Sequence, residues 1–323
     1  TTRLEVASAG GVTRAWIPVP AVNADWQESF ASTWSGNMAS AAVADDPASG
    51  ARMVTASWAE GEAKPVIEVV SRVRTRDRSN DWMRKAPRNV SAEELARNLR
   101  ATELIPTDGI VRDTALAATQ GKTTDIDKVR ALYEWVVANT YRDPAVKGCG
   151  VGDIKGMLET KNLGGKCADL NALFVGLCRA SGVPARDIYG IRVAKSAFPY
   201  RELGAGSPDI SKAQHCRAEV YLADFGWVAM DPADVSKVMR QETPDWIKDP
   251  KNEVAAPVYA ALFGNWEGNW MGYNYAHDVT LVGSRGPKVG FLMYPQAETK
   301  GERVDSLDPD TFNYRITARE IAS

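Results

Sequence analysis

Residues 164–184 read GGKCADLNALFVGLCRASGVP, and the spacing inside this stretch decides the architecture. Cys167, Leu170, Phe174, Leu177 and Cys178 recur at three- and four-residue steps, with Leu173 beside them. Residues so spaced share one face of a helix. Gly164 and Gly165 allow a tight approach before it, and Asp169 in the first turn complements the helix dipole. Gly182 and Pro184 stop it. The pattern predicts a buried helix with Cys167 at its N-terminus, on the inward face. A thiol attacks as its thiolate, and an ordinary cysteine with pKa ~8.5 is mostly protonated at neutral pH. A helix N-terminus and a neighbouring imidazolium both stabilise the anion.

An imidazole is scarce here, because the 323 residues include only His215 and His277. Downstream of the helix, residues 188–193 read as a strand. Residues 195–214 follow, with Pro199, Gly204, Gly206 and Pro208, and an irregular segment of this length is expected to be a functional flap. It delivers the chain to His215. Arg217–Leu222 and Gly226–Met230 then read as two strands joined by Ala223-Asp224-Phe225. A hairpin centred near Ala223 would set position 215 opposite Asp231. Asp231 would then hold one nitrogen of an imidazole whose other nitrogen serves Cys167. Cys167, His215 and Asp231, in this order and on these elements, compose a Cys–His–Asp acyl-transfer triad.

Upstream, Ser91 with Glu94 and Thr124 with Asp127 have capping spacing, and the second opens a helix carrying Ile126, Val129, Leu132, Tyr133, Val136 and Val137 at amphipathic spacing. Residues 65–76 read as one half-buried strand, with Ile67, Val69, Ser71 and Val73 on one face. Trp16–Pro20 reads as an extended piece whose prolines suit an edge or a strand end. Near the C-terminus, residues 279–282, 289–294 and 312–317 are strand-like. The expected organisation is a β-rich N-terminal domain over 1–87, with a structural or substrate-docking role, a catalytic core over 88–250, and a β-rich segment over 251–323.

The motifs GGKCADLNALFVGLCRASGVPAR and QHCRAEVYLADFGWVAMDPADV together resemble the transglutaminase-like superfamily, a branch of the papain-like cysteine enzymes. That family has a Cys opening a helix, a His beginning a strand and an Asp-Pro ending the next strand, matched here at Cys167, His215 and Asp231-Pro232. The resemblance covers about residues 125 to 240. It implies an α+β papain-like core, with N-terminal helices packed on an antiparallel sheet and β-rich flanks. It also implies that Cys167 is nucleophile, His215 general base and Asp231 the orienting acid. The implied substrate is an amide of a peptide, a protein or a Gln side chain, consumed through a thioester. Hydrolysis is expected over cross-linking because water is always present and no dedicated amine-acceptor site is legible in the sequence. The flanks, RAWIPVP near the start and FGNWEGNWMGYNYAHDVTLV near the end, resemble exported bacterial members. With a chain that begins Thr1-Thr2 rather than Met, they lead to the expectation of a periplasmic or secreted protein.

Composition narrows the alternatives. With 39 Lys+Arg against 41 Asp+Glu, the chain lacks the positive excess that coats nucleic acid or anionic membranes. No apolar stretch approaches the ~18–20 residues of a spanning helix. There is no C-x-x-C pair and no calcium loop, so neither metal nor other cofactor is expected. Cys178 is read as a core residue, and Cys216 as a buried one whose side chain faces away from His215. Cys149, in the loop Lys147-Gly148-Cys149-Gly150, is either a redox partner for another cysteine or an ordinary loop thiol. His277 is read as structural and Asp169 as a helix-terminus charge. Residues 266–275 and the 195–214 flap are the candidate substrate surfaces. The rival to an enzyme is a binding or scaffold module that keeps the fold without turnover.

Overall fold

The computed structural model describes residues 1–7 and 11–321. Ser91 and Thr124 cap their helices as the spacing predicts, accepting from Glu94 N at 3.1 Å and Asp127 N at 3.3 Å. The helix opened by Thr124, Asp125–Asn139, buries Val129, Leu132, Tyr133, Val136 and Val137. With Gly109–Ala118 it packs against the central helix, Cys167–Ala180, on the side away from the sheet.

The central helix is enclosed rather than merely amphipathic, since every residue from Cys167 to Arg179 is buried. Its composition permits this. A Cβ on Gly176 would lie 2.2 Å from Ile154 Cδ1, so a larger residue there would displace the Ile154 side chain that packs onto the helix. The one buried cation on its last turn, Arg179, donates to the carbonyls of Ala185 at 2.8 Å and Arg100 at 3.1 Å.

Against this helix lies a five-stranded antiparallel sheet in the spatial order Phe263–Gly264, Gly226–Met230, Gln214–Leu222, Ala185–Arg192, Trp270–Asn274. The result is the α+β papain-like architecture. The hairpin is shifted from the expected register: Ala218 pairs with Met230 and Leu222 with Gly226. Its centre is therefore Asp224, because all three loop residues lie outside the ladder, and Asp231 follows the strand opposite Arg217 rather than His215. A two-residue shift preserves the side on which a side chain emerges. Asp231 consequently still reaches His215 along the same face.

Of the remaining described strands, most form two sheets in which C-terminal strands are added at one edge of N-terminal ones, and two further pairs form small two-stranded sheets. Thr2–Val6 lies between Phe312–Ile316 and Val66–Val70, with Thr33–Gly36 beyond. The second sheet runs Glu302–Arg303, Gln296–Thr299, Thr13–Pro18, Arg52–Trp58, Ser40–Asp45. Thr13–Pro18 is thus an interior strand, and Pro18 is tolerated because it is the last residue. The stretch after residue 250 is divided: Phe263–Gly264 and Trp270–Asn274 join the core sheet, and its later strands join the outer ones.

Three expectations for strands and surfaces are corrected. Residues 65–76 form two strands, because the chain leaves one sheet after Val70 and enters another at Val73. Residues 279–282 and 289–294 form no strand; only the bridge Val279–Val289 joins them. Their apolar residues Val279, Leu281 and Leu292 instead fill a core beside Trp16. Residues 266–275 are not an open surface. Trp266 and Trp270 pack with Trp26, Val22, Ile188 and Ala229 on the sheet face turned away from the central helix.

Gly190 makes that packing possible. Its Cβ would stand 2.1 Å from Met271 O and 2.4 Å from the Trp270 ring, where the strand pairing carries a bulge. Trp270 in turn donates its indole N–H to the His215 carbonyl at 2.9 Å. Gly190→Ala is expected to destabilise the fold by about 1–3 kcal/mol through overpacking, read as a lower midpoint in urea denaturation. Because the displaced indole anchors the His215 backbone, Cys167 should also alkylate more slowly in the variant at pH 6.

Candidate active site

Asp169 assembles the entrance to the central helix. Its carboxylate accepts from Lys166 N at 2.9 Å, and also from Val151 N at 2.9 Å and Gly152 N at 2.8 Å. The anion therefore caps its own helix and staples the 148–152 loop to it. Gly150, at φ +93°, could carry no side chain, because a Cβ would fall 1.8 Å from an Asp169 oxygen. Ala168 N then donates to Cys149 O at 2.9 Å. The loop thereby places the Cys149 thiol beside Cys167, with its Sγ 3.3 Å from the Gln214 carbonyl. The Cys167 N–H has no hydrogen-bond partner among the described residues. It remains free to donate to an incoming oxygen.

His215 begins the middle strand of the sheet, and its Nε2 lies 2.7 Å from Asp231 Oδ2. That leaves Nδ1 for Cys167. The structure thus brings together Cys167, His215 and Asp231, all three buried. It adds partners that the motif did not disclose. Asp234 Oδ2 is 3.3 Å from the same Nε2, and its other oxygen takes Arg192 Nη2 at 2.6 Å. Asn171 Nδ2 bridges Asp231 Oδ1, at 3.2 Å, and the Cys216 carbonyl, at 2.9 Å. Arg217 Nε approaches Asp231 Oδ2 at 3.7 Å while its guanidinium lies over Trp266 and Trp270. Asn171 was within reach of sequence reasoning, one helical turn after Cys167. Asp234 carried the signal of an acidic first turn after Asp-Pro. Arg192 and Arg217 carried none, because strand pairing alone brings them here.

The electrostatics follow from this list. Burial pushes the Cys167 thiol up, but hydrogen bonding with Cys149, Cys216 and His215, together with the His215 charge, holds it well below the ordinary range. Burial and Arg192 disfavour charge on His215, yet Asp234 and Asp231 outweigh them and raise its pKa. Burial also raises Asp231, with Asp234 adding to it and His215 opposing. Asp234 is lowered despite burial, chiefly by Arg192. The arrangement favours a thiolate–imidazolium pair. A site with a lowered thiol and a raised, oriented imidazole can attack a carbonyl and return a proton to a leaving amine.

Cys216 is fully buried as expected, but its thiol does not turn away from the site. It meets Cys167, and its Sγ lies 3.9 Å from Met293 Sδ. Hydrogen bonding with Cys167, then burial, raises Cys149, whereas burial alone dominates for Cys178 inside the helical core. His277 pairs through Nδ1 with Tyr189 Oη at 3.3 Å, has Asp187 near its Nε2 at 3.4 Å, and does not line the cleft. Among the described residues, His215, Asp231 and Asp234 form the only acidic and imidazole group with metal-ligand spacing. Arg192 and Arg217 already crowd its carboxylates.

The cleft in front of Cys167 has a volume of about 660 Å³ and reaches His215. The 204–214 part of the flap forms one wall. The thiols make a testable contribution. Cys149→Ala should move the alkylation pH profile of Cys167 upward by about one pH unit, the loss of one hydrogen bond to an anion. Stopped-flow iodoacetamide labelling between pH 4.5 and 9 measures it.

Residues 112–232 match the family described as the transglutaminase-like superfamily. An uncharacterized protein of Haemophilus influenzae is 35% identical over 329 residues, covering 96% of this chain and 87% of that one. A Cytophaga hutchinsonii structure, titled as a candidate cysteine protease, shares the fold with a TM-score of 0.52 at 16% identity, over 84% of this chain and 86% of that one. The periplasmic domain of TgpA from Pseudomonas aeruginosa aligns at 15% identity with a TM-score of 0.40, over 77% of each chain. Through the match over residues 112–232, the chain belongs to the transglutaminase-like superfamily.

Proposed function

We propose that this protein is a cysteine-dependent acyl-transfer enzyme that opens peptide or Gln side-chain amides, with water as the favoured acceptor. The observation that carries the reading is the imidazole of His215, fixed by Asp231 at 2.7 Å through Nε2 and turned to Cys167 through the other nitrogen. In the first half-reaction the Cys167 thiolate attacks the amide carbonyl. The carbonyl oxygen gathers charge beside the free Cys167 N–H, where a preorganised donor lowers the barrier. His215 gives its proton to the departing amine, and a thioester remains. In the second, water loses a proton to His215 and attacks the thioester, releasing a carboxylic acid and the thiol. A primary amine in place of water would give a cross-link. Hydrolysis is the favoured outcome because water is abundant in an open cleft. Asp231 orients the imidazole and stabilises its charge.

Incubation with a peptide library, with and without an added primary amine and read by mass spectrometry, tests the reading. Hydrolysed products alone support it, amine adducts replace hydrolysis by transfer, and unchanged peptides reject turnover. On a cleaved peptide, Cys167→Ala should abolish activity. His215→Ala and Asp231→Asn should each lower kcat/KM by about 10²–10⁴. The pH profile should be a bell whose acid limb lies below ~8.5, since the thiolate forms early. Its alkaline limb should lie above ~6.5, where the raised His215 finally loses its proton. A periplasmic or secreted setting belongs to the same proposal, checked by fractionating cells that make the protein.

A further inference from the structure

The cleft at Cys167 is lined by more positive charge than its own acids neutralise. Arg142, Lys166, Arg192, Lys212 and Lys237 face it, against Asp209. Arg192 is occupied by Asp234 at 2.6 Å, Lys237 by Glu202 at 3.3 Å, and Asp209 by Arg315 at 2.9 Å. Arg142, Lys166 and Lys212 have no carboxylate within ion-pair distance among the described residues. Lys212 is exposed, and solvent suffices for it. Arg142 and Lys166 are different, because both are half-buried and lie close to the nucleophile.

Backbone pairing fixes that proximity. Tyr141–Arg142 runs parallel to Gly164–Gly165, so Arg142 is the ladder partner of Gly165. Lys166 then joins Gly165 to Cys167. Arg142 gives its Nε to the neutral amide of Gln241 at 3.2 Å, leaving its terminal nitrogens unengaged among the described residues. Burial lowers the Lys166 pKa, and the charge of Arg142 lowers it further. Two like charges held together, partly out of water, are unfavourable in the resting protein, and an anion placed between them relieves both.

We infer that Arg142 and Lys166 form an anion subsite beside Cys167, and that the preferred substrate is an acidic peptide with an Asp or Glu carboxylate one or two residues from the amide that is opened. The subsite begins at the residue adjoining Cys167 and ends on the strand paired with Gly165, so the carboxylate it takes lies close to the opened amide along the peptide. The planar guanidinium suits a carboxylate through paired N–H donors, and the lysine adds a mobile charge. The inference deepens the acyl-transfer reading and rests on it for the word substrate, but the anion subsite is measurable without turnover.

Two alkylating reagents of nearly equal size separate the possibilities. Iodoacetate carries a carboxylate and iodoacetamide does not. The ratio of their rates at Cys167, normalised to a small free thiol, should exceed unity by about tenfold at low ionic strength, and fall towards unity in 0.5 M NaCl. Arg142→Gln and Lys166→Gln should each reduce the ratio, and Arg142→Lys and Lys166→Arg should restore most of it. If the glutamine variants slow both reagents equally, the two cations serve only the thiolate and the subsite is rejected. A ratio of unity in the native protein rejects it as well. The second arm compares kcat/KM for peptides differing only in Glu, Gln or Lys beside the cleaved amide. Preference for Glu that disappears in both glutamine variants supports the substrate class, and equal rates for all three overturn it. Absence of any cleavage with the alkylation ratio intact would defeat the acyl-transfer reading while leaving the anion subsite standing.

Discussion

An anionic sulfur with most of its surface covered by protein is unfavourable unless opposite charge and hydrogen-bond donors surround it. Cys167 is only 3% exposed, so this constraint governs the whole centre. His215 supplies the charge, and Cys149 and Cys216 supply thiol partners. The positive imidazole is itself buried, and it needs Asp231 and Asp234. Those carboxylates in turn require Arg192, Arg217 and the Asn171 amide. Three cations thus stand against two carboxylates and the thiolate, and the centre is close to neutral when the thiol is ionised. Each member is tolerable only because the others are present.

Such a network demands a rigid frame, and the enclosed helix and the sheet behind it provide one. The Asp169 carboxylate fixes the loop before the helix by three N–H contacts, so that Cys149 and the helix start keep one geometry. The sheet fixes the other half. Trp270 reaches across Gly190 to the His215 carbonyl, and the hairpin returns Asp231 to the same face. The aromatic residues behind the sheet therefore serve the site as its support, which explains why a stretch so rich in tryptophan is buried rather than offered to a substrate.

The legibility of this protein in its sequence varies with the range of the interaction. The central helix, its capped neighbours and the Arg217–Met230 hairpin were readable, since period and capping are local. The pairing of Cys167, His215 and Asp231 was readable through the resemblance to a family whose three motifs match. The hairpin register was misplaced by two residues because loop length alone does not say which residues leave the ladder. The two segments at 279–294 look like strands because they are apolar and β-branched, but no partner strand lies beside them. Propensity expresses fit to a half-buried surface, and here the surface was a core wall without a ladder.

By itself, the sequence determined the central helix that Cys167 opens, the order of Cys167, His215 and Asp231 and the α+β class, since these rest on contacts within a few residues or on whole motifs. Only the tertiary structure decided that two further thiols meet Cys167, that Asp234, Arg192 and Arg217 join the buried charges, and that Arg142 stands beside Lys166. These neighbours come from strands and loops far apart in the chain. Side-chain charge and shape do not say which distant residues will meet; hydrogen-bonded register and close packing do.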